Sequence, residues 1–137
     1  MRIRLRRILG ATGLAASLAM AAVPVRASEI KFRVPFDFIV NGEMLPSGTY
    51  DVTSERSLLL VRGYGHGAAV VTSRSESRPE REPSLIFNRY GDRYLLVQAW
   101  MGGESGRLIP TSPLERELIG RRASAGDTAR RIVVPVR

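Results

Sequence analysis

From Ile30 to Val40 the chain alternates strictly, with Ile30, Phe32, Val34, Phe36, Phe38 and Val40 on one side and Lys31, Arg33, Pro35, Asp37 and Ile39 on the other. Period two with aromatic and β-branched residues predicts a strand with one buried face. Pro35 has no N–H for a ladder, so this strand lies at a sheet edge or is broken by a bulge. Asn41-Gly42 and Leu45-Pro46-Ser47-Gly48 are turn signals. Thr49 to Ser54 reads as a strand with Tyr50 and Val52 on one side. Ser57 to Arg62 reads as another, and its Leu58-Leu59-Leu60-Val61 run predicts burial on both faces. Gly63, Gly65 and Gly67 then reverse the chain into a small-residue strand from Ala68 to Ser73. The polar, charged stretch from Ser73 to Pro83 carries two prolines and reads as a mobile loop.

Ser84 to Trp100 is the clearest hairpin. A two-residue turn at Gly91-Asp92 pairs Tyr90 with Arg93 and Phe87 with Leu96. In that register Ile86, Leu95, Val97 and Ala99 share one face, and Phe87, Tyr94, Leu96 and Trp100 share the other. Two apolar faces predict a central hairpin covered on both sides. Gly102 to Gly106 is a loop. Ser112-Pro113-Leu114-Glu115 combines a Ser cap, Pro at the first helical position and Glu three after the cap, which predicts a helix start. Leu114, Leu118 and Ile119 share a face of that helix, Glu117 and Arg121 form an i,i+4 pair, and Gly120 predicts that it is short. After the polar stretch from Ala123 to Arg131, Ile132 to Val136 reads as a final edge strand or as an apolar tail that pairs with a neighbour. The sum is a mainly β domain, a small antiparallel β-sandwich or partly closed barrel with one short C-terminal helix.

The first 27 residues change where such a domain is expected to work. Arg2, Arg4, Arg6 and Arg7 precede an Ala- and Leu-rich run from Ile8 to Val23, and Val25-Arg26-Ala27 has the layout of a cleavage site. That is a secretory signal peptide over residues 1–27. It is followed by a β-rich domain over 28–122 and a polar linker with the possible final strand over 123–137. Five arginines leave with the signal, so the formal charge falls from +8 to +3. The remaining balance is too mild to imply nucleic acid as a physiological partner. Cysteine is absent, which excludes disulfides, a thiol nucleophile and a lipid-anchored cysteine. No second run after the signal is long enough to cross a bilayer as a helix. The expected location is periplasmic or secreted.

Candidate chemistry is sparse. His66 is the only histidine, placed between two glycines without a metal-ligand spacing. Gly63-Tyr64-Gly65-His66-Gly67 lacks the Lys-Ser/Thr and the following helix of a phosphate loop. Glu115 and Glu117 have capping and helix-surface roles, and no Gly-x-Ser-x-Gly elbow occurs. The sequence therefore predicts no catalytic residue, no metal and no cofactor. Arg89, Arg93 and Tyr94 cluster around the hairpin with Trp100 at its far end, and these four form the candidate binding face.

Four further stretches, taken in order, are shared with a known group. They are Val34-Pro35-Phe36-Asp37-Phe38 leading into Leu45-Pro46-Ser47-Gly48-Thr49-Tyr50, Leu58 to Arg62, Phe87-Asn88-Arg89-Tyr90-Gly91-Asp92-Arg93-Tyr94-Leu95, and Ser112-Pro113-Leu114-Glu115-Arg116-Glu117-Leu118. Over Phe32 to Leu118 the chain resembles a family of small uncharacterised exported β-rich proteins from acidobacterial-type soil bacteria. That resemblance implies an exported β-rich domain and carries no catalytic role onto any residue. The expected function is an exported, non-enzymatic domain for binding or assembly at the cell envelope. Its partner would be an envelope protein, a glycan or a second copy of itself. The alternatives are a binder of anionic polysaccharide through the Arg and aromatic face, and a small secreted hydrolase or isomerase.

Overall fold

Pro35 ends the first strand. In the computed structural model, which describes residues 28–76, 82–103 and 106–136, β1 (Ser28–Val34) stops there. After Phe36 and Asp37 the chain resumes as β2 (Phe38–Val40) in a different sheet. The single strand expected from Ile30 to Val40, at an edge or bulged, is thus two strands, and β2 is buried on both faces. Ile39, on the polar side of the alternation, lies at 6 % exposure in a second small cluster away from the main core. The leader segment lies outside the described residues.

Asn41 and Gly42, both with positive φ, turn β2 into β3 (Glu43–Leu45). Asn and Gly suit this turn because both φ angles lie in the left-handed region. β4 (Gly48–Glu55), β5 (Leu58–Arg62) and β6 (Gly67–Val71) follow as an antiparallel meander, and β1 pairs with β4 to give the order β1-β4-β5-β6. At Thr72 the chain leaves that sheet. The Thr72 amide and hydroxyl both donate to the carbonyl of Ser57, at 2.7 and 2.9 Å. β7 (Ser73–Ser75) then joins the second sheet, in a segment that reads from sequence as loop.

The second sheet is built on the predicted hairpin. β8 (Ser84–Tyr90) and β9 (Arg93–Trp100) pair in the expected register, Tyr90 with Arg93 and Phe87 with Leu96. β10 (Gly106–Leu108) and β7 extend it on one side, and β11 (Arg130–Pro135) pairs with β8 on the other. β2 adds a single parallel bridge, Ile39 to Leu95. The end strands thus complete the domain's own sheets: β1 lies along β4, and β11 lies along β8.

The two sheets pack face to face as a small sandwich and do not close into a barrel. Phe32, Tyr50, Val52 and Val61 of the first sheet meet Phe38, Leu85, Phe87 and Leu96 of the second. Phe38 sits edge-on to both Tyr50 and Phe87, with ring centroids 5.1 and 5.4 Å apart. Each fully buried aromatic of this kind contributes about 1.5–3 kcal/mol through removal from water. β5 is not buried on both faces: Leu59 and Val61 enter the core, while Leu58 is 37 % exposed on the outer side. Gly63 is fixed by the same core. A Cβ at this position would stand 2.6 Å from the Tyr50 ring, whose hydroxyl donates to the Pro46 carbonyl.

Helix α1 (Pro113–Ser124) starts at the predicted Ser112 cap and continues through Gly120, longer than expected. It covers the outer face of the hairpin, where Leu114 and Leu118 pack on Ile39, Tyr90 and Leu95. Ile119 is 46 % exposed. Glu117 accepts from Arg121 at 2.5 Å, the predicted pair. The hairpin is therefore central, with the first sheet on one side and the helix on the other.

Candidate functional site

The hairpin turn, the helix C-terminus and the start of β11 meet at one end of the domain. Gly91 turns the hairpin with φ +67°, and a Cβ there would lie 3.2 Å from Arg122 Nη2. That close approach lets the helix end settle over the turn. Arg122 also pairs with Asp127, and its carbonyl accepts from the Asp127 amide at 3.0 Å, which closes the helix C-terminus. The chain then enters β11 with Arg130 directly opposite Arg89 of β8.

Between these elements lies a cleft of about 490 Å³, lined by Arg89, Gly91, Arg122, Asp127, Thr128, Ala129 and Arg130. Three guanidinium groups face one carboxylate. Like charges directly opposite on neighbouring strands are destabilising, and Arg130 has no acidic partner among the described residues. Arg89 is held in place: its Nε donates to the Gly91 carbonyl at 2.7 Å, and its guanidinium lies 5.4 Å from the Tyr94 ring centroid. An adjoining hollow of about 300 Å³ shares Arg122, Asp127, Thr128 and Ala129 and adds the apolar surface of Tyr90, Ile119 and Ala123. The Arg122–Asp127 pair thus stands between a cationic side and an apolar side.

The structure separates the four residues of the candidate binding face. Arg89 and Tyr94 are cross-strand neighbours, and Arg89 lines the cleft. Tyr94 supports it from beneath, stacked on Phe36 at 3.9 Å. Arg93 is exposed beside the turn, opposite Tyr90. Trp100 stands apart at the far end of β9, only 3 % exposed, with its indole N–H buried and without a hydrogen-bond partner among the described residues. Its displacement has a local cause. Ile86 pairs with Gln98 but Phe87 pairs with Leu96, so Val97 is an extra residue in β9. Beyond this bulge every side chain changes face. Ala99 joins the core and Gln98 takes the outer side with Trp100. Nothing local in the sequence marks Arg122 and Arg130 as site residues. Only the fold brings the helix end and β11 to the hairpin turn.

A second polar feature lies beneath α1. The Glu115 amide donates to Ser112 Oγ at 3.2 Å, as the capping signal predicts. Its carboxylate turns away from the cap and accepts from Tyr90 Oη at 3.0 Å and Asn88 Nδ2 at 3.3 Å. Glu115 is 6 % exposed. Burial raises the Tyr90 hydroxyl above its ordinary pKa, and its hydrogen bond to Glu115 adds to the rise. Glu115 borders a cleft of about 390 Å³ together with Ser73, Gln98 and Thr111.

His66 is exposed at the tip of the β5–β6 turn, where its carbonyl accepts from the Gly63 amide at 2.7 Å. Among the described residues no group of three or more His, Asp or Glu side chains stands close enough to hold a metal ion. No helix among them is long and apolar enough to cross a membrane. Comparison with protein-family models, with curated proteins and with solved structures finds no match for this chain.

Proposed function

We propose that this chain is an exported, non-enzymatic binding domain of the cell envelope, and that its ligand is an acidic polysaccharide held at Arg89, Arg122 and Arg130. The observation that supports it is the direct cross-strand opposition of Arg89 and Arg130 in a cleft whose only carboxylate among the described residues is already paired with Arg122. A bound anion relieves that repulsion, and guanidinium groups suit the planar carboxylates of sugar acids. The apolar hollow on the other side of Arg122 suits the carbon face of a sugar ring better than it suits a bare phosphate. Export follows from the leader segment read in the sequence.

The test is titration of the chain from Ser28 with polygalacturonate, and with neutral dextran as the control. Binding to the acidic polymer is expected, weakening as salt rises because exposed charge pairs are screened. Arg89→Ala with Arg130→Ala abolishes it. No binding at low salt, equal binding to dextran, or an unaffected double variant would sink the proposal.

A further inference from the structure

Edge strands invite pairing, and this domain guards all but one of its own. β1 carries Glu29, Lys31 and Arg33, and β11 carries Arg130, Arg131 and Pro135. β3 and β7 have three residues each, including Glu43 and Arg74. Charge, proline and shortness are the usual means of blocking an edge. β6, Gly67-Ala68-Ala69-Val70-Val71, has none of them and ends its sheet with no neighbour beyond it among the described residues. Val71 is 65 % exposed, and Leu58 beside it on β5 is 37 % exposed.

We propose that β6 is an assembly edge that pairs antiparallel with β6 of a second copy of this chain, about a twofold axis at Ala69. The ladder sets the register. Thr72 donates inward to Ser57, so the alternation of an antiparallel pair turns the backbone groups of Gly67, Ala69 and Val71 outward. Centred on Ala69, those residues pair as Gly67 with Val71 and Ala69 with Ala69, which forms about six backbone hydrogen bonds. Shape agrees with this register. Each Val71 side chain stands over a glycine, and no charge on either strand meets a like charge. On the outer face Leu58 and Val71 of one copy lie beside the Arg62 stem of the other, since Arg62 pairs with Gly67. A neutral strand that matches itself favours a second copy over a charged foreign peptide. This surface is separate from the arginine cleft, so either proposal can fail alone.

Every described element lies within the chain from Ser28, and that chain is the material for the test. Its mass by light scattering, from micromolar to millimolar, is expected to rise from monomer to dimer. Ala69→Lys, an exposed change at the centre of the strand, is expected to hold it at monomer mass with an unchanged thermal midpoint. Because the sequence has no cysteine, crosslinking gives a clean second readout. Ala69→Cys stands opposite itself within disulfide reach and is expected to form a covalent dimer on mild oxidation. Val71→Cys stands about 13 Å along the strand from its own copy and is expected to remain uncrosslinked. A wild-type monomer throughout, a dimer that survives Ala69→Lys, or crosslinking that does not distinguish the two cysteines overturns the proposal.

Discussion

Replacing Glu115 with alanine tests what holds the helix to the sheet. The apolar contact of α1 with the sheet is small, resting on Leu114 and Leu118. Glu115 supplies the remaining tie through the 3.0 Å bond from Tyr90 and the 3.3 Å bond from Asn88. A hydrogen bond to a charged group is worth about 1.5–3 kcal/mol, and a buried donor left without a partner costs a similar amount. The Asn88 bond is long and adds little. The Tyr90 hydroxyl, on a residue only 4 % exposed, loses its acceptor outright. The expected loss for Glu115→Ala is about 2–4 kcal/mol, which lowers the melting midpoint by roughly 10–20 °C in a domain of this size. Urea titration measures it. Glu117→Ala, which removes only the exposed pair with Arg121, is the control and is expected to cost under about 0.5 kcal/mol. A double-mutant cycle with Tyr90→Phe is expected to give a coupling of about 1–2 kcal/mol. If Glu115→Ala and Glu117→Ala shift the urea midpoint equally, the carboxylate does not anchor the helix and the tie is refuted.

Three further outcomes are expected. Phe87→Ala removes a ring that touches both Phe36 and Phe38 and is expected to cost about 3–5 kcal/mol by urea titration; a loss under one kilocalorie would mean that the core refills. Gly63→Ala pushes a methyl group against the Tyr50 ring and is expected to destabilise by about 1–3 kcal/mol, with Tyr50→Leu recovering part of that loss in the double variant. Both Tyr50 and Tyr90 have raised hydroxyl pKa values, chiefly through burial. A group whose folded pKa is raised contributes stability fully below its unfolded pKa, here about 10, and loses it as pH rises through the folded value. Stability measured by denaturant titration is thus expected to fall above about pH 10, and Tyr90→Phe to shallow that fall; an identical slope in the variant would count against it.

Much of the architecture was legible because it is written locally. The Gly91-Asp92 turn fixed the hairpin register, Ser112 and Pro113 fixed the helix start, and Asn41-Gly42 fixed a turn. The errors have equally specific causes. One extra residue at Val97 exchanged the faces of Ala99 and Trp100, and nothing in the sequence marks a bulge in an apolar strand. Pro35 marks an interruption in the sequence, but nothing around it says that the chain changes sheets there. β7 and β10 have three residues each, too few to show a period, and they form as β10 pairs with the edge of β9 and β7 with β10. The arginine cleft was half visible: Arg89 and Tyr94 sit on the hairpin, whereas Arg122 and Arg130 reach it through tertiary packing.

The chain passes between the two sheets at Pro35–Asp37 and again at Thr72, and the second sheet takes its outermost strand from residues 130–135. The first sheet is thus complete by Val71, whereas the second draws on β2 and β3 early in the chain and on β11 at its end. An N-terminal portion emerging alone has β1 and the meander but lacks the hairpin that covers their apolar face. Non-local pairing of this sort makes folding slow relative to local helix formation. The second sheet is completed only when β11 pairs with β8 and brings Val134 into the core. For the same reason, trimming of the last strand is expected to act on the whole domain and not on its end alone.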